Sequence, residues 1–161
     1  MGTYSDGRMI YRVVIAEDEV PAREHLHRLV KTLDGFQVVG VAGNGAEALE
    51  LVRREKPDIL LLDIEMPEKT GMQVVRELLD TSVSGAPLPA VVFVTAWDAH
   101  AIHAFRLNAL DYVLKPFEDD RVGDALRHAA AILQRRELQM LLDRLTAFTD
   151  SHSPTPTSPA T

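Results

Sequence analysis

Apolar residues in this chain gather in five short runs, each bounded by polar or turn-forming residues. The most pronounced, Ile59-Leu60-Leu61-Leu62, is aliphatic at four consecutive positions. That fits a strand covered on both faces, because a strand with one wetted side would alternate. Residues 11–16, 36–42, 90–94 and 111–114 are similar runs rich in β-branched residues. Between them the spacing changes to three and four. Leu26, Leu29, Val30 and Leu33 follow Pro21 and stop at Asp34-Gly35; Ala48, Leu49 and Val52 follow Gly43-Asn44-Gly45 and stop at Lys56-Pro57; Met72, Val75, Leu78 and Leu79 follow Gly71. Residues 82–89 are Ser, Gly and Pro-rich and form a loop, and Asp98 caps a short helix through Ala104, Phe105 and Leu107. Five strands alternating with helices predict one α/β domain, a doubly wound five-stranded parallel sheet covered on both faces.

From Glu118 the helical spacing persists through Val122, Leu126, Ala129 and Leu133, and then through Leu138, Leu141, Leu142, Leu145 and Phe148. A helix of roughly thirty residues is more than twice the usual length, so its second half projects beyond the domain. Leu138, Leu141, Leu145 and Phe148 keep the alternating three and four spacing of a coiled-coil seam. Such a stripe either folds back on its own domain or pairs with a second copy, and a homodimer is the expectation. The organisation expected is therefore a disordered leader over 1–9, a domain over 10–136, a helical extension over 137–148 serving dimerisation, and a disordered Ser, Thr and Pro-rich linker over 149–161. A linker that leads nowhere implies a longer parent protein.

Composition narrows the function. With 161 residues there is room for one domain with a real core. Lys and Arg number 17 against 24 Asp and Glu, a formal charge of -7, so an all-over basic surface for nucleic acid is absent and proteins or cations are the expected partners. There is no cysteine, which removes disulfides and thiolate metal sites and fits a reducing cytoplasm. The apolar runs are far too short to span a membrane, and the first eight residues lack the apolar core of a signal peptide.

Right-handed crossovers bring the carboxyl ends of parallel strands to one edge of the sheet, where open α/β sheets place their ligands. The first strand delivers Glu17 and Asp18 there, the third Asp63, the fourth Thr95 and the fifth Lys115. A lone acid at a strand end usually does no more than solvate. Three carboxylates and one ammonium leave a formal charge of -2, which one divalent cation would cancel. The donors are hard oxygens without His or Cys, so Mg2+ is the natural candidate. The Asp63 carboxylate beside Mg2+ and Lys115 could attack phosphorus in line, giving an aspartyl phosphate whose new oxygens the Thr95 hydroxyl could contact. Gly43-x-Gly45-x-x-Ala48 also matches a dinucleotide fingerprint, with Asp63 near the ~20-residue offset of a ribose-binding acid. A second mononucleotide half has no room in the remaining chain, and Glu17 and Asp18 would be left without a task. His25, His27, His100 and His103 fall on helical surfaces away from this crevice and are read as surface or pairing residues, while Trp97 and Tyr112 each have a plain packing alternative.

Val14-Ile15-Ala16-Glu17-Asp18-Glu19, Leu62-Asp63-Ile64-Glu65-Met66-Pro67 followed by Gly71, Val94-Thr95-Ala96, and Asp111-Tyr112-Val113-Leu114-Lys115-Pro116-Phe117 closely resemble the receiver domain of two-component response regulators. The resemblance covers residues 10 to about 136, with the motifs in the right order. It implies a flavodoxin-like sheet of order 2-1-3-4-5, an arrangement the chemotaxis receiver exemplifies. It also implies that Asp63 accepts phosphate from a sensor histidine kinase, that Glu17 and Asp18 form an acidic pocket, and that Mg2+ is held by Asp18, Asp63 and the backbone carbonyl of Glu65, with Glu17 contributing indirectly. Thr95 and Tyr112 would be the switch pair and Lys115 the phosphate contact. Glu17 stands where many relatives have Asp, one methylene longer at equal charge.

The segment from Ala104 to Tyr112 looks most like receivers joined to LytTR-type DNA-binding output domains. That implies transcription regulation by a longer parent, with DNA contacted only through the missing domain. The expectation is a cytoplasmic phosphorylation-dependent switch, not an enzyme beyond catalysing its own phosphoryl uptake and hydrolysis. Two alternatives stand beside it. A receiver-like interaction module would never take phosphate, against which intact Asp18, Asp63, Thr95 and Lys115 argue. An aspartyl-phosphate phosphatase of the haloacid-dehalogenase kind would need an Asp two residues after the nucleophile, where Glu65 stands.

Overall fold

A computed structural model describes residues 2–81, 87–96, 98 and 109–152. The expected short helix after Asp98, Trp97, His100, His103, most of the 82–89 loop and the tail from 153 lie outside the described residues.

Five parallel strands form the sheet: β2 (Arg8–Ala16), β3 (Phe36–Ala42), β4 (Ile59–Leu62), β5 (Ala90–Thr95) and β6 (Asp111–Leu114). Their order is β3-β2-β4-β5-β6, which is 2-1-3-4-5 when the parallel strands are numbered by themselves. The chain reverses direction across the sheet between β2 and β4, so the site edge opens at the β2/β4 boundary. Helices α1 (Val20–Thr32), α2 (Gly45–Glu55), α3 (Gly71–Thr81) and α4 (Asp119–Ser151) accompany the strands.

Alternate residues of the strands feed two cores. Val13, Ile15, Ile59, Leu61, Val92 and Val94 pack with α1 and the first half of α4, whereas Val14, Ala16, Leu60, Leu62 and Phe93 pack with α2 and α3. Ile59 through Leu62 are all essentially inaccessible, as the unbroken aliphatic run requires. Removing one such side chain, as in Leu60→Ala, costs about 2–5 kcal/mol by the behaviour of buried leucines.

Two expectations are corrected. The leader is not structureless: β1 (Thr3–Ser5) pairs antiparallel with Arg8, Met9 and Ile10, adding a sixth strand and moving the start of β2 back from Tyr11 to Arg8. Asp6 and Gly7 turn the chain with φ of 49° and 78°, the left-handed pair that a two-residue hairpin demands and that an Asp-Gly sequence supplies. At the other end, Thr149, Asp150 and Ser151 belong to α4 and not to a linker. No Gly or Pro interrupts this stretch, and its hydroxyls bond back to the helix: Thr149 Oγ1 donates to Thr146 O at 2.8 Å and Ser151 Oγ to Phe148 O at 2.9 Å. Among the described residues, no helix is long and apolar enough to cross a membrane.

Candidate functional site

The site lies at the carboxyl ends of the neighbouring strands β2 and β4, with Lys115 reaching in from the end of β6 across β5. Asp63 follows β4 directly and donates its N–H to Ala16 O at 2.9 Å, while Glu17 follows β2 and donates to Ala42 O at 3.0 Å. Ladder bonds thus hold the backbone of both acids one step beyond the regular strands. Gly71 closes the loop after Asp63 by bonding Ile64 O at 2.8 Å. A Cβ at position 71 would stand 2.3 Å from Asp63 O, so only glycine lets α3 start this close to the acid.

Ladder geometry aims the side chains inward. Glu17 is fully buried, Asp63 is 6% accessible, and Asp18 is partly exposed at the mouth. One carboxylate oxygen from each of these three residues lies within 4.8 Å of those of the other two. Lys115, just after β6 and held by its N–H to Thr95 O at 2.8 Å, reaches in with Nζ 2.8 Å from Glu17 Oε2 and 3.3 Å from Asp63 Oδ2. The other Asp63 oxygen, Oδ1, accepts the N–H of Glu65 at 3.2 Å. Glu17 Oε1 is buried and has no hydrogen-bond partner among the described residues.

These contacts set the protonation balance. Burial pushes the Glu17 carboxyl up to about 7; Lys115 opposes that shift, and the neighbouring Asp63 adds to it. Burial alone would lower the Lys115 ammonium, but its hydrogen bond to Glu17 and the charge of Asp63 outweigh this and raise it. Lys115 is therefore a fixed cation in a surplus of negative charge. Three close carboxylates, one of them with an oxygen left over, are a donor set for a hard divalent cation.

Glu17, Asp18, Asp63 and Lys115 are thus brought together. Glu65 is exposed, and its residue lines an open cleft beside the acids together with Asp18, Met66, Pro67 and Met72. Thr95 is fully buried at the end of β5. It lies two residues after Phe93, whose register partner is Tyr112, so Thr95 and Tyr112 share the α2/α3 face of the sheet. Tyr112 is half-buried; burial raises its phenol, and the carboxylates of Asp98 and Asp63 add to that. The Gly43-Asn44-Gly45 turn is explained by capping: Asn44 Oδ1 accepts Glu47 N–H at 2.8 Å and Glu47 Oε2 accepts Gly43 N–H at 2.9 Å. His25 pairs with Asp119 at 2.9 Å and stacks on Phe117, as a surface histidine.

Sequence reasoning passed over Arg23. Its Nη1 donates to Glu17 O at 2.9 Å and to Asp18 O at 3.4 Å. The signal was available, since a cation near the start of a helix opposes the macrodipole and needs another reason to be there.

Comparison with known proteins gives the family and the fold. The profile of the response regulator receiver domain matches residues 13–127. The chain belongs to this family. Among curated relatives, the positive alginate biosynthesis regulatory protein of Pseudomonas aeruginosa is 46% identical over 119 residues, covering 73% of this chain and 46% of the relative. The transcriptional regulatory protein BtsR of Salmonella typhi is 37% identical, covering 85% of this chain and 55% of the relative. The receiver thus spans about half the length of the curated relatives it matches. The crystal structure of the response regulatory domain of protein mrkE from Klebsiella pneumoniae superposes with a TM-score of 0.69 at 32% identity, over 77% of this chain and 98% of that one. This chain is a receiver domain of two-component systems, in which sensor histidine kinases are the partners of response regulators, and the receiver family generally binds Mg2+.

Proposed function

We propose that this receiver is a phosphorylation-dependent switch in which Asp63 accepts a phosphoryl group from a histidine of a sensor kinase. The observation that carries the reading is the ammonium of Lys115 spanning Glu17 and Asp63 at 2.8 and 3.3 Å, beside a third carboxylate. A lone pair of the Asp63 carboxylate attacks phosphorus, the bond from phosphorus to the kinase imidazole breaks, and the released nitrogen keeps the electron pair and takes up a proton. Lys115 then shares the charge of the phosphoryl oxygens, and the Thr95 hydroxyl donates to one of them.

Mg2+ fits the residues present, because the donors are hard oxygens and Glu17 Oε1 is a buried acceptor with nothing to accept. Asp18, Asp63 and the backbone carbonyl of Glu65 would hold it, with Glu17 acting indirectly through its charge. When bound, it supplies neutralisation of the transferring phosphoryl oxygens. Thr95 and Tyr112 share one sheet face on neighbouring strands, so a Thr95 drawn toward the new oxygens changes the space open to Tyr112.

The switch works in the cytoplasm, is no enzyme beyond its own phosphoryl uptake and loss, and reports to a LytTR-type DNA-binding output domain of a longer protein that regulates transcription. Self-association through the extension over 137–148 accompanies it, supported by Leu138, Leu141, Leu145 and Phe148, each more than half exposed in the single chain. The test is incubation with acetyl phosphate and Mg2+. The expected result is a mass gain of one phosphoryl group, lost in Asp63→Asn. Turnover of phosphate esters would favour a phosphatase, and no gain with Asp63 intact would favour an interaction module.

A further inference from the structure

Nothing among the described residues holds the side chain of the acid at the mouth of the site. Among the described residues the Asp18 carboxylate makes no hydrogen bond or ion pair, although it stands within the 4.8 Å cluster. Its position is therefore set by its backbone. That backbone is gripped from behind, because the guanidinium of Arg23 donates from Nη1 to the carbonyls of both Glu17 and Asp18, at 2.9 and 3.4 Å. With both carbonyls turned toward the cation, the intervening peptide has a fixed orientation.

Arg23 itself is located from two sides. Its own N–H bonds Glu19 O at 2.9 Å in the first turn of α1, so the helix carries the side chain back under the acidic loop. On the far side its Nη1 lies 3.0 Å from where a Cβ on Gly43 would stand. The absence of a side chain at 43 is what leaves the guanidinium its place, and Gly43 is itself tied down by Glu47 at 2.9 Å. The guanidinium thus grips the β2–α1 loop and lies against the β3–α2 loop at Gly43.

We infer that Arg23 is a positioning residue for the cation site, holding the Glu17–Asp18 peptide so that Asp18 presents its carboxylate without a partner of its own. This rests on the Mg2+ site proposed above. Outer contacts that orient ligands commonly change metal affinity by 10–100-fold when removed. A through-space role has the opposite sign, since deleting a cation near three carboxylates would tighten Mg2+ binding.

The experiment is calorimetric titration of Mg2+ into the 161-residue protein and its variants, with acetyl phosphate uptake followed as a function of Mg2+. Arg23→Ala is expected to weaken Mg2+ binding about tenfold. Saturating Mg2+ should return its phosphorylation rate toward the wild-type value, because the attacking Asp63 is held by other bonds. Arg23→Lys, which keeps the charge and can still donate to a carbonyl, should bind Mg2+ more tightly than Arg23→Ala. Gly43→Ala keeps the arginine but crowds its Nη1, which must give by a few tenths of an ångström, so it should also weaken Mg2+ binding, by less than Arg23→Ala. That variant decides the matter if Arg23→Ala does not fold. Wild-type protein that binds no Mg2+ would remove the site itself. Wild-type binding with equal or tighter binding in Arg23→Ala, or in a folded Gly43→Ala if that variant decides, would overturn the role of Arg23.

Discussion

Lys115 satisfies one oxygen of Glu17 at 2.8 Å and leaves the other, Oε1, buried without a partner among the described residues. A half-satisfied buried carboxylate is a cost to the fold that a bound cation can offset. Glu17→Gln is therefore expected to raise the stability of the metal-free protein by about 1–3 kcal/mol while weakening Mg2+ binding. Thermal melts with and without Mg2+ check this: wild type should gain more from the ion than the variant, and a variant melting below metal-free wild type would be the contrary result.

The same residue sets a pH dependence. Burial raises the Glu17 carboxyl from 4.5 to about 7, so without metal its contribution to stability is full below 4.5 and is lost as pH rises through about 7. Mg2+ binding runs the other way. Below about 7 the ion must displace a proton, so affinity should fall on acidification, by at most roughly tenfold per pH unit. Calorimetry in buffers of different ionisation enthalpy would read the proton released, and Glu17→Gln should flatten the profile.

Arg121 in the first turn of α4 clasps the start of β6. It donates from Nη2 to Asp111 Oδ1 at 2.8 Å and to Tyr112 O at 2.9 Å. Burial by itself would raise the Asp111 carboxyl, but the Arg121 bond, helped by Tyr112 N–H, lowers it from 3.8. The stability this supplies is full at neutral pH and lost as pH drops below 3.8. Arg121→Ala should cost about 1 kcal/mol at pH 7, a modest value because the guanidinium is partly in water, and less in acid. Denaturant melts at the two pH values check it.

Cutting the chain before Glu137 should leave the domain folded, because the buried positions of α4, from Val122 to Ala129, lie well before the cut. It should lower self-association, and Leu141→Asp should do the same in the whole chain. Sedimentation profiles unchanged by both would refute pairing through this helix.

The five parallel strands were legible because burial on both faces writes short apolar runs whose strand-end acids fall on one edge, whereas their order was implied only by the resemblance to receiver domains. The motifs also located Glu17, Asp18, Asp63 and Lys115, whose meeting depends on strand ends alone. The hairpin at Thr3–Ser5 was missed although Asp6-Gly7 spells its turn, because the flanking residues are polar and exposed and carry no apolar alternation. The end of α4 was placed too early because Thr and Ser read as linker, whereas their hydroxyls bond back to the helix they seemed to end. Arg23 escaped because a side chain that bonds backbone carbonyls leaves no pattern of spacing, and its place near the start of α1 was the one signal it gave.

The unbroken course of α4 has a mechanical consequence. Its base is bolted to β6 through Arg121 and Tyr112 O, and from Leu138 to Ser151 its residues are all exposed, over about 20 Å at 1.5 Å per residue. A rigid rod pivoting at its root multiplies displacement along its length, so a small tilt near Tyr112 becomes a movement of several ångströms at the far tip. Whatever is joined beyond Ser151 would feel the strand's adjustment as leverage.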